Sequence, residues 1–274
     1  MAQGSSYVIQ SGAAALDRLE LIARLYWQTT EAFLARHDAL ELDRFLDVGC
    51  GIGDVATRVG TAIGVDINAE VVGAARERCR AMGSNATFRV AGLADLGVDD
   101  ELRGFDAVYA RCVLSHQSDP RAGLAAMLAA TRPGGIVLVE DVEIAAVWSS
   151  PPSAALARHL ELYVAAARGL GARPDIGCDL AVMLRDLGAA DVLVDLIQPM
   201  LRVRDDLQVH ARTMEAIAVP VIAQGLATEV EVAELVAQLD EFAATPDNVA
   251  TLPRTIQVIG RVPWAQLGRE LAYR

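Results

Sequence analysis

The sequence predicts an α/β fold in which a Rossmann-like, doubly wound sheet of seven strands, the last antiparallel, carries additional helices. Short apolar segments alternate with helical patterns along most of the 274 residues, which is typical of βαβ units. Several segments, such as 136–139, are apolar throughout, as in strands buried on both faces. We expect strands near residues 44–49, 62–66, 86–91, 105–110, 136–140, 191–197 and 255–261.

Local capping signals predict helices between these strands. Asn68 is a favourable N-cap for a helix that ends at Gly83. Asp119 followed by Pro120 indicates a second helix start, because proline is tolerated at the first helical position. A third helix is expected from about residue 178 to Gly188.

Three segments do not belong to this alternation. An amphipathic stripe predicts a long helix over 11–37, a further helix is expected near 153–169, and residues 204–245 are expected to form two helices, one bent at Pro220. The predicted organisation is an N-terminal helical arm (1–40), a core (41–200 and 250–274) and a helical lid insertion (201–249) over the carboxyl edge of the sheet.

The composition narrows the class of protein. Hydrophobic residues make up 53% of the chain, the net charge is -12 and every basic residue is an arginine. An acidic surface disfavours nucleic acid as a partner, and no segment has the length and apolarity of a membrane span. The four cysteines show neither a CxxC pair nor a histidine at metal-ligand spacing, so we expect reduced thiols, no metal site and a cytoplasmic location.

A glycine-rich turn follows the first strand, in Asp47-Val48-Gly49-Cys50-Gly51-Ile52-Gly53-Asp54. Glycines allow the chain to turn sharply and a ligand to lie against the main chain. The next strand ends at Asp66, whose carboxylate can accept hydrogen bonds from two ribose hydroxyls, and the adjacent Ile67 can pack on a purine face. This pattern predicts a nucleoside-containing cofactor.

A nicotinamide dinucleotide is the alternative ligand for such a loop. Its fingerprint has a third glycine after two intervening residues, three positions beyond the second, at a helix start that faces the pyrophosphate. Here Gly53 comes one residue early and Asp54 stands where that glycine should be. A carboxylate would repel pyrophosphate, whereas S-adenosylmethionine has no phosphate and carries positive sulfonium and ammonium groups. We therefore favour S-adenosylmethionine as the cofactor.

The loop resembles motif I of class I S-adenosylmethionine-dependent methyltransferases, and three further segments resemble the family in the same order. Residues 91–96 resemble the segment that holds adenine, 104–111 the fourth strand and 132–135 the turn before the fifth strand. Together, residues 44–142 resemble the family core, most closely its ubiquinone/menaquinone-type branch of small-molecule methyltransferases. The resemblance implies the same sheet and the same cofactor.

The resemblance also implies roles for residues of the loop. Gly49 and Gly51 would lie against the methionine part of the cofactor, in a site that includes Asp47 and Cys50, and Asp66 would bind the ribose. Nothing near Cys50 in the sequence activates its thiol, so its side chain is expected to be a small packing group.

The adenine and amino groups would be bound by later segments. The resemblance implies that Ile67, Leu93 and Ala94 surround adenine, with the Ala94 amide donating to the ring, and that the Arg111 carbonyl accepts from the amino group. Relatives often carry aspartate where Leu93 stands, so adenine binding here would depend on apolar packing and the backbone.

Two residues are candidates for the chemistry. Methyl transfer requires alignment of a nucleophile and, where it carries one, removal of its proton. His116 follows the fourth strand and would be the base, although a capping or packing role is the alternative. Asp141 ends the fifth strand, between Glu140 and Glu143, and would act as base or hold a cationic amine.

Three further residues, on or before the additional helices, are possible contributors to the site. His159 and His210 fall on the predicted lid helices, where histidines are more often surface residues. Tyr7 precedes the first helix, where it would either close the cofactor site or pack an N-terminal arm against the core.

The predicted function is methylation of a small, fairly apolar molecule, as in specialised metabolism, with O-, N- and C-methylation open and a homodimer allowed for. One alternative is a cofactor-holding protein that guides a cyclisation or binds a partner without methyl transfer. A second alternative, a dinucleotide oxidoreductase, is disfavoured by Asp54.

Overall fold

The computed structural model describes residues 13–264. Its strands, in chain order, are β1 (Phe45–Val48), β2 (Ala62–Asp66), β3 (Thr87–Val90), β4 (Phe105–Arg111), β5 (Thr131–Glu143), β6 (Ser149–Ser150), β7 (Ala190–Ile197), β8 (Met200–Leu201), β9 (Val249–Thr251) and β10 (Arg254–Arg261). Its helices are α1 (Ala13–Arg36), α2 (Ala69–Met82), α3 (Pro120–Ala130), α4 (Ala154–Gly169), α5 (Leu180–Asp186), α6 (Arg204–Leu207), α7 (Val209–Ala216), α8 (Ala218–Ala223) and α9 (Glu229–Ala244).

The main sheet has seven strands in the order β3-β2-β1-β4-β5-β10-β7. The first five run parallel, and β10 is inserted antiparallel between β5 and β7, with Val258 opposite Val139 on one side and Val194 on the other. The direction in which successive strands are added reverses at β1, with β2 and β3 on one side of it and β4 and β5 on the other. The connections that follow β1 and β4 therefore pass over opposite faces of the sheet. This geometry opens a crevice at the carboxyl ends of those strands. The predicted seven-stranded sheet with its antiparallel last strand is confirmed.

The helix signals in the sequence act as expected. The Asn68 side chain accepts a hydrogen bond from the Glu70 amide, and α2 ends at Gly83, whose φ of 64° is left-handed. Asp119 caps α3 ahead of Pro120, accepting from the Ala122 amide. These caps satisfy amides that the first helical turn leaves without partners.

Apolar residues cover both faces of the sheet. One cluster joins β1, β4 and β5 to α3 and α5, and includes Leu46, Val108 and Met127. The other joins the opposite face to α2 and the end of α1, where Phe33 and Leu34 are buried. The packed layers hold the carboxyl edge of the sheet in a fixed position.

A third cluster belongs to the helices above that edge. It joins α4, α7 and α9 to α1 and to the end of β5, through residues such as Tyr26, Val142, Met214 and Leu239. The segment between β8 and β9 differs from the predicted pair of helices, since it forms four. The break between α7 and α8 lies at Ile217, because Pro220 has no amide hydrogen and its ring would meet the carbonyl four residues earlier.

A small second sheet was not predicted from the sequence. Its strands β6, β9 and β8 pair antiparallel, with Ser149 opposite Ala250 and Ala250 opposite Leu201. Strands of two or three residues carry too little pattern to be recognised. The division into arm, core and lid stays a prediction. Among the described residues, no helix has the length and apolarity needed to cross a membrane.

Candidate active site

A cavity of about 830 Å³ lies at the carboxyl ends of β1, β2 and β4, beneath α1, α4 and α7. A volume of this size is in the range of sites that bind small molecules and cofactors. One end is formed by the glycine loop and the turns after β2, β3 and β4, and the other by the covering helices. Residues that line this cavity include Arg18, Leu19, Ile22, Asp47, Gly49, Cys50, Gly51, Asp54, Asp66, Ile67, Leu93, Arg111, Cys112, His116, His159, Leu160, His210 and Thr213.

The glycine loop presents its backbone to this cavity. Gly49 and Gly51 have φ angles of 64° and 53°, in the left-handed region that favours glycine. A Cβ on Gly49 would lie 2.4 Å from a methyl carbon of Val113, whereas a Cβ on Gly51 would meet no atom within 4 Å. The Cys50 amide donates to the Val65 carbonyl at 2.9 Å, tying the loop to β2. Gly51 therefore faces open space in which a ligand can approach the main chain.

Asp66 lies beside that loop. One carboxylate oxygen accepts from the Gly51 amide at 3.1 Å, and the other accepts from the Asn68 amide at 2.9 Å. Burial raises the pKa of this carboxyl, and the backbone amides oppose the shift. These contacts fix the carboxylate at the cavity wall, where its remaining lone pairs can accept from ligand hydroxyls.

The predicted adenine wall is present only in part. Ile67, 67% exposed, and Leu93 line the cavity, and Ile67 packs so closely on Gly92 that a Cβ there would lie 2.7 Å away. Ala94 is exposed and does not line the cavity. The predicted hydrogen bond from its amide to adenine stays a prediction. Asp95 accepts instead from the Gly92 amide at 2.7 Å and shapes the turn.

The family resemblance gives a role to the carbonyl of Arg111, and the structure shows that its side chain also makes specific contacts in the site. The guanidinium forms a buried ion pair with Asp54, 2.8 Å from Nη2 to Oδ2, and donates to Thr30 Oγ1 at 3.1 Å. Asp47 lies nearby, where burial and the Asp54 charge raise its pKa to about 8. Cys112 follows Arg111 with a strained φ of 55°. The side chain at the end of β4 thus neutralises the acidic loop.

Cys50 agrees with the expected packing role. Its side chain is buried, and burial followed by the charge of Asp47 raises the pKa of its thiol. A thiol in this state is a poor nucleophile.

The two candidate catalytic residues are placed differently. His116 is buried at the cavity wall, in the short turn after β4, and burial, followed by the charge of Arg18, lowers its pKa to about 4. Its imidazole is therefore neutral at pH 7. Asp141 does not line the cavity. Its carboxylate is fully buried and accepts from the amides of Leu114 (2.8 Å), Ser115 (3.0 Å) and Val142 (2.9 Å).

These contacts replace the predicted base or cation-binding role of Asp141 with a positioning role, since it fixes the turn that carries His116. The two neighbouring acids are also engaged. Glu140 accepts from Thr30 Oγ1 and Gln257 Nε2, both at 2.7 Å, and from the Tyr109 hydroxyl, and Glu143 accepts from the Cys178 amide at 2.7 Å. None of the three acids faces the cavity.

Sequence reasoning missed the polar residues of the covering helices. His159 on α4 and His210 on α7 were expected at the surface, but they are 2% and 5% exposed and line the cavity, with ring centroids 6.0 Å apart. Arg18 on α1 also lines it. Their positions on the apolar faces of amphipathic helices were the available signal. Tyr7 lies outside the described residues. Within 13–264, no group of histidine, cysteine, aspartate or glutamate has the arrangement of a metal site.

Comparison with known proteins identifies the core. Residues 40–166 match the sequence model of a methyltransferase domain family. A ubiquinone biosynthesis O-methyltransferase of Methylococcus capsulatus is 32% identical over 109 residues, which cover 38% of this chain and 46% of that protein. The match thus spans less than half of the curated relative.

Solved structures share the fold. Phosphoethanolamine N-methyltransferase 2 of Haemonchus contortus, in complex with phosphomonomethylethanolamine and S-adenosylhomocysteine, has a TM-score of 0.57 at 19% identity, covering 90% of this chain and 57% of that one. The [4+2]-cyclase SpnF has a TM-score of 0.51 at 21% identity, covering 86% and 81%. Together with the sheet order and the glycine loop, the sequence match shows that residues 40–166 belong to a class I S-adenosylmethionine-dependent methyltransferase domain.

Proposed function

We propose that this chain binds S-adenosylmethionine and transfers its methyl group to a small, fairly apolar molecule in specialised metabolism. The observation that carries the proposal is the continuity of one cavity, which runs from the glycine loop and Asp66 to His116 beneath the covering helices. A cofactor held at the loop and an acceptor held under the helices would share this space. Cofactor and acceptor would then meet away from bulk water, as methyl transfer requires.

The residues at the loop end fit this cofactor. Gly51 leaves its main chain open to a ligand, Asp66 offers acceptors to ribose hydroxyls, and Ile67 with Leu93 supplies apolar surface for adenine. Bound S-adenosylmethionine would supply an electrophilic methyl group on a positively charged sulfonium. The Asp54–Arg111 pair leaves no net charge there to oppose a cation.

His116 is the side chain we assign to the acceptor's proton. Its imidazole is buried and neutral at pH 7, so it can accept a proton without first losing one. A lowered pKa makes it a weak base, which suits an acidic acceptor such as a phenol or an enol better than an alkyl amine. Apolar side chains from α1 and α4, such as Ile22 and Leu160, would hold the rest of the acceptor.

The alternative is a protein that keeps the cofactor site but guides a cyclisation or binds a partner without methyl transfer. The likeness to a cyclase favours keeping this alternative, although at 21% identity it concerns the fold alone.

We also propose a cytoplasmic homodimer. The edge strand β7 leaves Leu193, Val194 and Leu196 exposed and is the surface we assign to the dimer. Light scattering during gel filtration tests this assignment.

Incubation with methyl-labelled S-adenosylmethionine and a panel of phenols, amines and enolisable acids tests the main proposal. We expect labelled product and S-adenosylhomocysteine to form together with at least one acceptor, and Asp66→Ala to reduce both. Tight calorimetric binding of S-adenosylhomocysteine without label transfer to any acceptor would favour the alternative. Failure to bind S-adenosylhomocysteine, with a thermal shift by NADH instead, would overturn the cofactor assignment.

A further inference from the structure

The first observation is a buried arginine on the α7 side of the cavity. Arg18 on α1 is 7% exposed and lines the cavity, and its Nε donates to Thr213 Oγ1 on α7 at 3.0 Å. Within the described chain, no carboxylate lies at ion-pair distance from its guanidinium. The other buried arginine of the cavity, Arg111, is paired with Asp54. Arg18 therefore brings a positive charge to the cavity without a protein counter-ion among residues 13–264.

The second observation concerns the two imidazoles beside it. His159 Nδ1 and His210 Nε2 are buried, and neither has a hydrogen-bond partner among the described residues. His210 and Thr213 are three residues apart on α7, so the Arg18 contact and the His210 ring share one helix face. The other nitrogen of His210 is hydrogen-bonded to the Thr251 backbone, which leaves Nε2 as an acceptor in the neutral ring.

Such an arrangement is costly for a protein core. Buried polar groups are almost always hydrogen-bonded, and a buried charge without a partner is strongly unfavourable. Three polar side chains from α1, α4 and α7 nevertheless converge on one cavity in this state. A ligand that is anionic at one point and offers a hydrogen-bond donor at another would satisfy Arg18 and His210.

We infer that this part of the cavity binds a hydroxylated organic acid, with its carboxylate on Arg18 and a hydroxyl donating to His210. The inference rests on the proposed function and names the class of its substrate. A carboxylate fits better than a phosphate, because a single guanidinium in a cavity that Ile22 and Leu160 also line offers one charge and apolar surface. A planar acid matches the fork of an arginine through two parallel hydrogen bonds.

Calorimetry on protein saturated with S-adenosylhomocysteine tests the inference. The probes are 2-, 3- and 4-hydroxybenzoate and the three corresponding hydroxybenzamides, which keep the shape and remove the charge. We expect at least one acid to bind about tenfold to a hundredfold more tightly than its amide, the value of a charge-assisted hydrogen bond. Equal affinity of acid and amide for all three pairs would overturn the inference.

Variants of Arg18 and His210 test which side chains recognise the carboxylate and the hydroxyl of the ligand. Arg18→Met should reduce the acid-over-amide ratio to about one. Arg24→Met is the matched control on the same helix, since Arg24 is exposed and pairs with Asp206 at the surface. It should leave the ratio unchanged. His210→Phe, which keeps an aromatic ring, should remove the preference for hydroxybenzoate over benzoate, the matching probe without a hydroxyl. An unchanged acid-over-amide ratio in Arg18→Met would contradict the assignment.

A purely structural role for Arg18 predicts a different result. If Arg18 served folding, Arg18→Met would lower the Tm of the ligand-free protein. A ligand-binding cation without a counter-ion predicts an equal or higher Tm together with loss of acid binding. Arg18→Gln provides a second, polar variant if the methionine variant fails to fold. Because S-adenosylhomocysteine binding is measured first, failure of the cofactor site is distinguishable from failure of this inference.

Discussion

The guanidinium of Arg111 lies against the carboxylate of Asp54, with Nη2 3.1 Å from Oδ1 and 2.8 Å from Oδ2. The pair joins the end of β4 to the glycine loop after β1. It explains how an acidic residue is accommodated where a dinucleotide-binding loop would have glycine. Arg111 also donates to Thr30, which in turn donates to the buried Glu140, so the pair belongs to a network that reaches α1.

Removing the cation of this pair should destabilise the protein strongly. Arg111→Met leaves the buried Asp54 carboxylate without its partner, and such losses cost about 3–5 kcal/mol. The double variant Arg111→Met/Asp54→Leu should recover most of that loss. Urea unfolding measures both. Arg158→Met, which breaks an exposed pair with Glu161, is the control and should cost no more than about 1 kcal/mol. A loss that the double variant does not reduce would show that the charge pairing is not its cause.

Asp66→Ala should weaken binding of S-adenosylhomocysteine by about tenfold to a hundredfold, because hydrogen bonds to a charged acceptor contribute roughly 1.5–3 kcal/mol. The variant also loses the contact to the Gly51 amide, so part of the effect would come through the loop. Calorimetry measures the affinity. Asp100→Ala, whose side chain is 93% exposed, should bind as the wild type does. Unchanged affinity in Asp66→Ala would place the ribose elsewhere.

Two glycines form a matched pair for testing the loop. Gly51 and Gly83 have φ angles of 53° and 64°, and a Cβ on either would meet no atom within 4 Å. Valine at either position should cost about 1–2 kcal/mol through backbone strain. Only Gly51→Val should also abolish S-adenosylhomocysteine binding, because only that Cβ would project into the cavity. Far-ultraviolet circular dichroism and calorimetry separate the effects. Equal binding by both variants would show that no ligand approaches Gly51.

His116→Ala should lower turnover on an identified acceptor by about 10²–10⁴, with little change in cofactor affinity. The base must be unprotonated, so the wild-type rate should fall as the pH decreases through the pKa of about 4. The ordinary histidine value of about 6.5 would apply only to an exposed ring. A pH–rate profile measures the midpoint, and a fall centred at 6.5 would indicate another group.

Asp141→Asn is the companion variant for His116. It removes the charge that the Leu114 and Ser115 amides share and loosens the turn before His116. We expect lower stability and lower turnover with the midpoint of the pH profile unchanged. A shifted midpoint would return Asp141 to the list of proton-transfer groups.

The three buried histidines should make a contribution to the stability of the fold that is lost in mild acid. Burial lowers the pKa values of His116 and His210 to about 4 and that of His159 to about 3. The unfolded chain therefore takes up these protons first. Their stabilising contribution is complete above about pH 6.5 and decreases as the pH falls toward 4, by at most about 1.4 kcal/mol per pH unit for each histidine. Tm measured from pH 7.5 to 4.5 should fall less steeply in His159→Phe. An identical slope would contradict the assignment.

The sequence was most informative where chemistry is local. The strand pattern, the Asn68 and Asp119 caps and the positions of Gly49 and Gly51 depend on neighbouring residues and were predictable. The side chains that face the cavity from α1, α4 and α7 were not. Whether His159 points into a cavity or into water depends on how three helices from distant parts of the chain pack, and periodicity gives only the helix face.

The role of Asp141 likewise could not be predicted from its neighbours in the sequence. Its position at the end of a strand, beside a predicted site, favoured a catalytic role. Its surroundings decide otherwise, because three backbone amides from two segments surround the carboxylate. The Arg111–Asp54 pair also spans 57 positions of the chain. Contacts of this kind are set by the crossing of strands and are not encoded by spacing.

The small sheet of β6, β9 and β8 has a consequence for how this protein can change over evolution. Strands β8 and β9 pair side by side, so the chain leaves for α6–α9 and returns from them at neighbouring points. A segment whose two ends are joined in this way can be lengthened, shortened or exchanged with little effect on the register of the main sheet. The wall of the cavity that α7 supplies, including His210, can therefore change by replacement of one contiguous stretch of about forty-seven residues (202–248), while the cofactor loop and its supporting strands stay as they are.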